Sequence, residues 1–64
     1  MNSKEFGAIL RERRKEVGIT QQELADLAEV NINTIVTIER GDGNPKIQTI
    51  IGICEVLGLE ILLK

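Results

Sequence analysis

Asn33, Thr37 and Arg40 are the side chains of this 64-residue chain best suited to chemistry at a surface: a carboxamide, a hydroxyl and a guanidinium at helical spacing. With Ile32 and Val36 they form one face of a helix whose opposite face is Ile35 and Ile38. Such a set can hydrogen-bond and pack, but it cannot run a reaction. There is no His, Ser3 is the one serine and Cys54 the one cysteine, so a nucleophile, base and orienter cannot be assembled. No catalytic residue is assigned, and the chain is not expected to be an enzyme. The remaining carboxylates are scattered and lack the ligand spacing of zinc or calcium sites, so neither a metal nor a cofactor is expected.

The length is that of one domain, residues 1–64, and a chain of this size buries only about 60% of the surface it exposes when unfolded. Its core must be economical or shared with a second chain. Hydrophobic residues make up 42% of the sequence, enough for a globular fold, with a single aromatic, Phe6. A lone cysteine fits a reducing cytosol, and Cys54 reads as a small buried hydrophobe. The N-terminus is charged where an export signal would be apolar, and the longest apolar stretch, Ile50 to Cys54, is far too short for a bilayer. A soluble, cytoplasmic protein without a membrane partner is expected.

Four helices can be placed from their boundary signals. Asn2 caps the first with Glu5 three residues on; Phe6, Ile9, Leu10 and Val17 follow at helical spacing, and Gly18 stops it. Thr20-Gln21-Gln22-Glu23 is a capping box for the second, flanked by Ile19 and Leu24 at staple positions, and Leu24, Ala25, Leu27 and Ala28 continue it. Asn31 caps the third, which carries Ile35 and Ile38 inward and stops at Gly41, before the loop Gly41-Asp42-Gly43-Asn44-Pro45. The fourth is expected to turn Ile47, Ile50, Ile51, Cys54 and Leu57 inward and to stop at Gly58. The helical core therefore spans residues 1–58. In the tail, residues 59–64, Leu59, Ile61 and Leu63 share one face of a strand. A strand needs a partner, and the same tail of a second copy supplies one across a two-fold axis, which predicts a homodimer with these three residues at the interface. The alternative is a frayed or helical tail packed on its own chain.

Two helices joined by a very short turn, the second polar at its start, have the geometry that lays a recognition helix in the major groove of DNA. The residues Leu10-Arg11-x-x-Arg14, Gly18-Ile19-Thr20-Gln21-Gln22-Glu23-Leu24-Ala25, Thr34-Ile35-x-x-Ile38-Glu39-Arg40-Gly41, Asn44-Pro45, Thr49-Ile50 and Leu57-Gly58 together resemble the Xre/Cro family of phage and bacterial repressors. The resemblance covers about residues 6–59. It implies an all-α, lambda-repressor-like bundle of four to five helices, with the short C-terminal strand added across a dimer. It also implies a partly buried ion pair between Arg14 and Glu39, joining the first helix to the end of the recognition helix. Glu29 stands where the family usually carries Gly, so the turn must accept a non-Gly residue, either left-handed or with an adjusted turn. The closing Leu57-Gly58-Leu59-Glu60-Ile61-Leu62-Leu63 is similar to the Hip-type antitoxin branch, whose dimers share a C-terminal strand and whose partner is a kinase toxin.

Matched to the family motif, Ile32 and Asn33 fall in the first turn of the recognition helix and Thr37 one turn later, the positions from which side chains reach base edges. Asn33 can bond adenine bidentately, Thr37 can donate or accept, and Ile32 and Val36 can pack on thymine methyls, while no Arg or Lys waits for guanine. A·T-rich half-sites are expected. The other reading of Ile32 and Val36 is an exposed apolar pair used against a protein. Backbone phosphates are expected at Gln21, Arg40 and the amides around Gly43 and Asn44, where a helix start would point its donors outward. Arg11 and Lys46 read first as ordinary solvated side chains. Residues 1–18 carry a net charge of +2, residues 19–40 of −3 and residues 41–64 of −1, so a chain of net −2 must bind DNA through helix termini and a few Arg contacts, with a modest salt slope. The resulting expectation is a homodimeric, sequence-specific repressor of transcription. The alternative is an antitoxin that binds a kinase-like toxin and autoregulates its operon.

Overall fold

Side chains and glycines at the helix ends set the boundaries. In the computed structural model, which describes residues 1–62, four helices run in chain order: α1 Ser3–Val17, α2 Gln21–Ala28, α3 Ile32–Arg40 and α4 Ile47–Leu57. The Asn2 carboxamide accepts from the Glu5 amide at 2.8 Å, and Gly18 ends α1 at φ 87°. At α2 the Thr20 hydroxyl accepts from the Glu23 amide at 3.0 Å while the Glu23 carboxylate accepts from the Thr20 amide at 2.9 Å, a complete capping box. The Asn31 side chain accepts from the Asn33 amide at 2.7 Å and starts α3. Between α2 and α3, Glu29 is left-handed at φ 57° and ψ 44°, the first of the two ways the turn could accept a residue other than glycine.

The helices close around Leu10, Leu24, Ala25, Ile35, Ile38, Ile53, Cys54 and Leu57. Full burial of a Leu or Ile side chain contributes about 1.5–3 kcal/mol, so this small set carries most of the driving force. Phe6, Ile19, Val30, Ile50, Val56 and Leu59 pack around it half-buried. Burial pushes the Cys54 thiol pKa up, as it should for a sulfur acting as core filler.

The inward face of α4 differs from the one expected. Ile53 is fully buried, whereas Ile47 and Ile51 are 63% and 42% exposed. Ile50, Ile53, Cys54 and Leu57 form the stripe that meets α1 and α2, and Ile47 and Ile51 lie at its edge. Because α4 is apolar over more than half its circumference, its sequence period admits either stripe. Leu27 of α2 and Ile9 and Val17 of α1 are likewise exposed rather than inward.

The tail forms no regular element over residues 59–62, and among the described residues there is no strand. Leu59 donates its amide to the Cys54 carbonyl at 2.8 Å and packs on its own core, so it is not held on a common outer face with Ile61. Ile61 and Leu62 are exposed, and Leu63 lies outside the described residues. Arg13 anchors the end of α4: its Nε donates to the Leu57 carbonyl at 2.7 Å, placing a cation at the negative end of that helix.

Glycine decides how close α1 comes to α3. A Cβ at Gly7 would collide with the Ile38 and Glu39 carbonyl oxygens, and one at Gly41 would lie 2.7 Å from the Lys4 Cα. Gly7 is buried mid-helix at a position where Ala would favour the helix by about 1 kcal/mol, so its presence reflects packing. Gly7→Ala is expected to lose about 1–3 kcal/mol net, because backbone cannot yield as a side chain tip can. The melting temperature should fall by several degrees; a rise would contradict this close approach. Glu29→Gly should act the opposite way. It relieves about 1–2 kcal/mol of left-handed strain, offset in part by greater freedom of the unfolded chain, and calorimetry should show a melting point a few degrees higher.

Candidate nucleic-acid interface

The α2–α3 pair presents α3 outward through one polar cluster. Arg14 of α1 grips Glu39 of α3 with two parallel hydrogen bonds, Nε to Oε2 at 2.7 Å and Nη2 to Oε1 at 3.1 Å. Its remaining Nη1 donates to the Ile19 carbonyl at 2.9 Å, just ahead of α2. Gln21, the first residue of α2, donates its Nε2 to Glu39 Oε1 at 3.1 Å. Three segments thus meet on one carboxylate. The Arg14 and Glu39 side chains are only 11% and 4% exposed, so the pair is shielded from water and salt. Hydrogen bonding to Glu39 raises the Arg14 pKa against the opposing effect of burial, and the guanidinium stays charged.

On the outer side of α3, Asn33 is exposed, and Val36 and Thr37 are half-exposed. Ile32, read as part of that face, packs against the core edge, which narrows the free face to Asn33, Val36, Thr37 and Arg40. Its place in the first turn of α3, where the helix enters the fold, leaves it partly buried against the core. The Thr37 hydroxyl donates to the Asn33 carbonyl at 2.7 Å.

Gly43 and Asn44 are exposed, but they do not form a helix start. Pro45 disfavours helical conformation in the residue before it, and α4 begins only at Ile47, after Lys46 as an N-cap without a side-chain bond. Gly43, at φ 78°, instead bends the loop back against α3, where a Cβ would lie 2.8 Å from the Thr37 Cγ2. Asn33, Thr34, Thr37, Gly43, Asn44 and Pro45 line an open groove of about 280 Å³. The loop therefore borders the outer face of α3. Arg40 stands at the end of that face with its Nε 3.4 Å from Asp42 Oδ2, both side chains mostly exposed.

Gln21 gives one carboxamide N–H to Glu39, which leaves its second N–H and the backbone amides of Gln21 and Gln22, which have no carbonyl to bond within the helix, as the donors at the start of α2. Sequence reasoning missed this link, as well as Gly7 and Arg13. For Gly7 a signal existed, a glycine three residues before the inward Leu10 in an otherwise strong helix. Among the described residues no cluster of His, Cys, Asp and Glu could hold a metal ion, and no helix is long and apolar enough to cross a membrane.

Removing Arg14 would strand the Glu39 carboxylate in a nearly dry site, which typically costs about 3–5 kcal/mol. Arg14→Ala is therefore expected to lower the melting temperature sharply, with DNA sequence preference unaltered in whatever fraction remains folded. An unchanged melting temperature would contradict the structural role.

Comparison with known proteins agrees with this geometry. Residues 10–63 match the family model described as helix-turn-helix. An uncharacterized HTH-type transcriptional regulator of Methanothermobacter thermautotrophicus is 40% identical over 52 residues, which span 81% of this chain and 75% of the relative. The crystal structure of the restriction-modification controller protein C.AhdI from Aeromonas hydrophila superposes with a TM-score of 0.84 at 32% identity, covering 89% of this chain and 83% of that one. With its capped α2, its left-handed turn and an α3 braced through Glu39, the chain belongs to the Xre/Cro type of the helix-turn-helix family.

Proposed function

We propose that this protein is a sequence-specific DNA-binding regulator of transcription that acts as a homodimeric repressor, with α3 of each protomer in the major groove. The observation that carries the reading is the free face of α3, Asn33, Val36 and Thr37, on a helix held by the shielded Arg14–Glu39 pair. A rigid helix with hydrogen-bonding groups at its first two turns is what base-edge recognition requires. Membership of the helix-turn-helix family and likeness to a relative named as a transcriptional regulator support it. The chemistry of the face, a carboxamide and a hydroxyl with a branched methyl-bearing side chain and no Arg or Lys, suits A·T-rich half-sites, and Ile32 contributes at most its exposed part.

Phosphates are assigned to the first-turn amides at Gln21, to Arg40 and to the loop at Gly43 and Asn44. Support for the homodimer is the apolar surface left uncovered on one side of the molecule. Ile47, Ile51, Ile61 and Leu62 are exposed around a groove between α4 and the tail, a patch that a chain this small leaves open at a risk of aggregation. A second copy covers it and pairs the two recognition helices about one duplex turn apart.

The test is binding of the purified chain to the DNA upstream of its own gene at two salt concentrations, together with its mass in solution. A dimer is expected, with a salt dependence shallower than that of proteins making about six to ten phosphate contacts. Selection from random DNA should return A·T-rich half-sites. Asp42 competes with phosphate for Arg40, so Asp42→Asn should tighten binding several-fold and steepen the salt dependence. A monomeric mass with no DNA bound would remove the proposal, and G·C-rich half-sites would remove its specificity.

A further inference from the structure

The geometry points to Thr37 as an acceptor-only reader of an exocyclic amino group, the adenine N6 or cytosine N4 amine, with Gly43 as the residue that positions it. This rests on the proposed placement of α3 in the major groove. The Thr37 hydroxyl lies 2.7 Å from the Asn33 carbonyl oxygen, which can only accept, so the one hydroxyl proton is held on that line. What the oxygen then offers outward is its lone pairs. The glycine at 43 leaves room for the Thr37 methyl in this rotamer: a Cβ on residue 43 would lie 2.8 Å from Thr37 Cγ2, and the Asp42 amide, which donates to the Thr37 carbonyl at 3.0 Å, ties the loop to that end of α3.

A threonine free to rotate can donate to guanine or thymine oxygens or accept from an amine, and is therefore a weak discriminator. Held as here, it meets thymine O4, guanine O6 and purine N7 acceptor to acceptor and favours only an amino group. The sequence itself reads as a permissive hydroxyl; the loop turns it into a one-way contact. Gly43 is a positioning residue in this sense, since a Cβ there would crowd the Thr37 methyl at 2.8 Å and force the side chain to shift.

The test uses duplexes of the selected operator in which single adenines are replaced by purine, lacking the 6-amino group, or single cytosines by pyrimidin-2-one, lacking the 4-amino group. Binding of the wild type, Thr37→Val and Gly43→Ala is compared by fluorescence anisotropy, with folding checked by circular dichroism. One position per half-site is expected where loss of the amine weakens wild-type binding roughly five- to tenfold. In Thr37→Val, which keeps the shape without the acceptor, that penalty should shrink to about twofold or less, while the penalty at positions read by Asn33 persists. The arm in which the penalty appears tells adenine from cytosine. Gly43→Ala should lose the same penalty at the same position only, a pattern that general destabilisation does not produce; if its strained backbone prevents folding, Thr37→Val decides alone. A penalty unchanged in Thr37→Val, or a Thr37-dependent preference for guanine or thymine in the contacted strand, would overturn the assignment while leaving the DNA-binding reading intact. Failure to bind any duplex would overturn both.

Discussion

Two contacts clamp α1 to the C-terminal half of α3: the backbone approach that Gly7 permits at the Ile38 and Glu39 carbonyls, and the bidentate Arg14–Glu39 pair about two turns further along α1. Each is costly to lose. A Cβ at residue 7 would push against the backbone of α3, and without the pair a carboxylate is left nearly buried with only the Gln21 carboxamide to bond it. Glu39 also accepts from Gln21, and Arg14 from its other nitrogen reaches Ile19, so the pose of α2 against α3 is tied to the same point. In a chain with so few fully buried side chains, this cluster supplies direction where hydrophobic burial supplies only attraction.

The electrostatics of the chain are consistent with that division. Its net charge of −2 offers no long-range attraction to DNA, and several acidic groups have local duties: Glu23 in a capping box, Glu39 in the clamp, Asp42 beside Arg40. The proposed binding therefore calls for short-range complementarity between the α3 face and base edges rather than for a basic surface. The loop after α3 is part of that face. Pro45 delays the start of α4, so Gly43 and Asn44 form no helix terminus, and Gly43 lies against Thr37.

Much of the fold was legible because local chemistry controls helix ends. Asn2, Thr20 with Glu23, and Asn31 have side chains that satisfy first-turn amides from three residues away or less, and Gly18, Gly41 and Gly58 take the left-handed conformation that ends a helix. The outer residues of α3 were legible for the same reason, since they follow from Ile35 and Ile38 turning inward. Less legible was anything that depends on a second element. Ile32 looks outward on a helical wheel but closes the edge of the core; Leu59 looks like one side of a strand but packs on its own chain.

By itself, the sequence determined where helices begin and end and which helix carries a hydrogen-bonding face. These are consequences of side chains acting within a few residues of themselves. Only the tertiary structure decided which stripe of α4 is inside, because its run of isoleucines satisfies two faces equally and the neighbouring helices accept one. It alone revealed why residue 7 is glycine, that Gln21 bonds Glu39, and that Gly43 borders the Thr37 methyl, since each depends on an atom brought close from elsewhere in the chain.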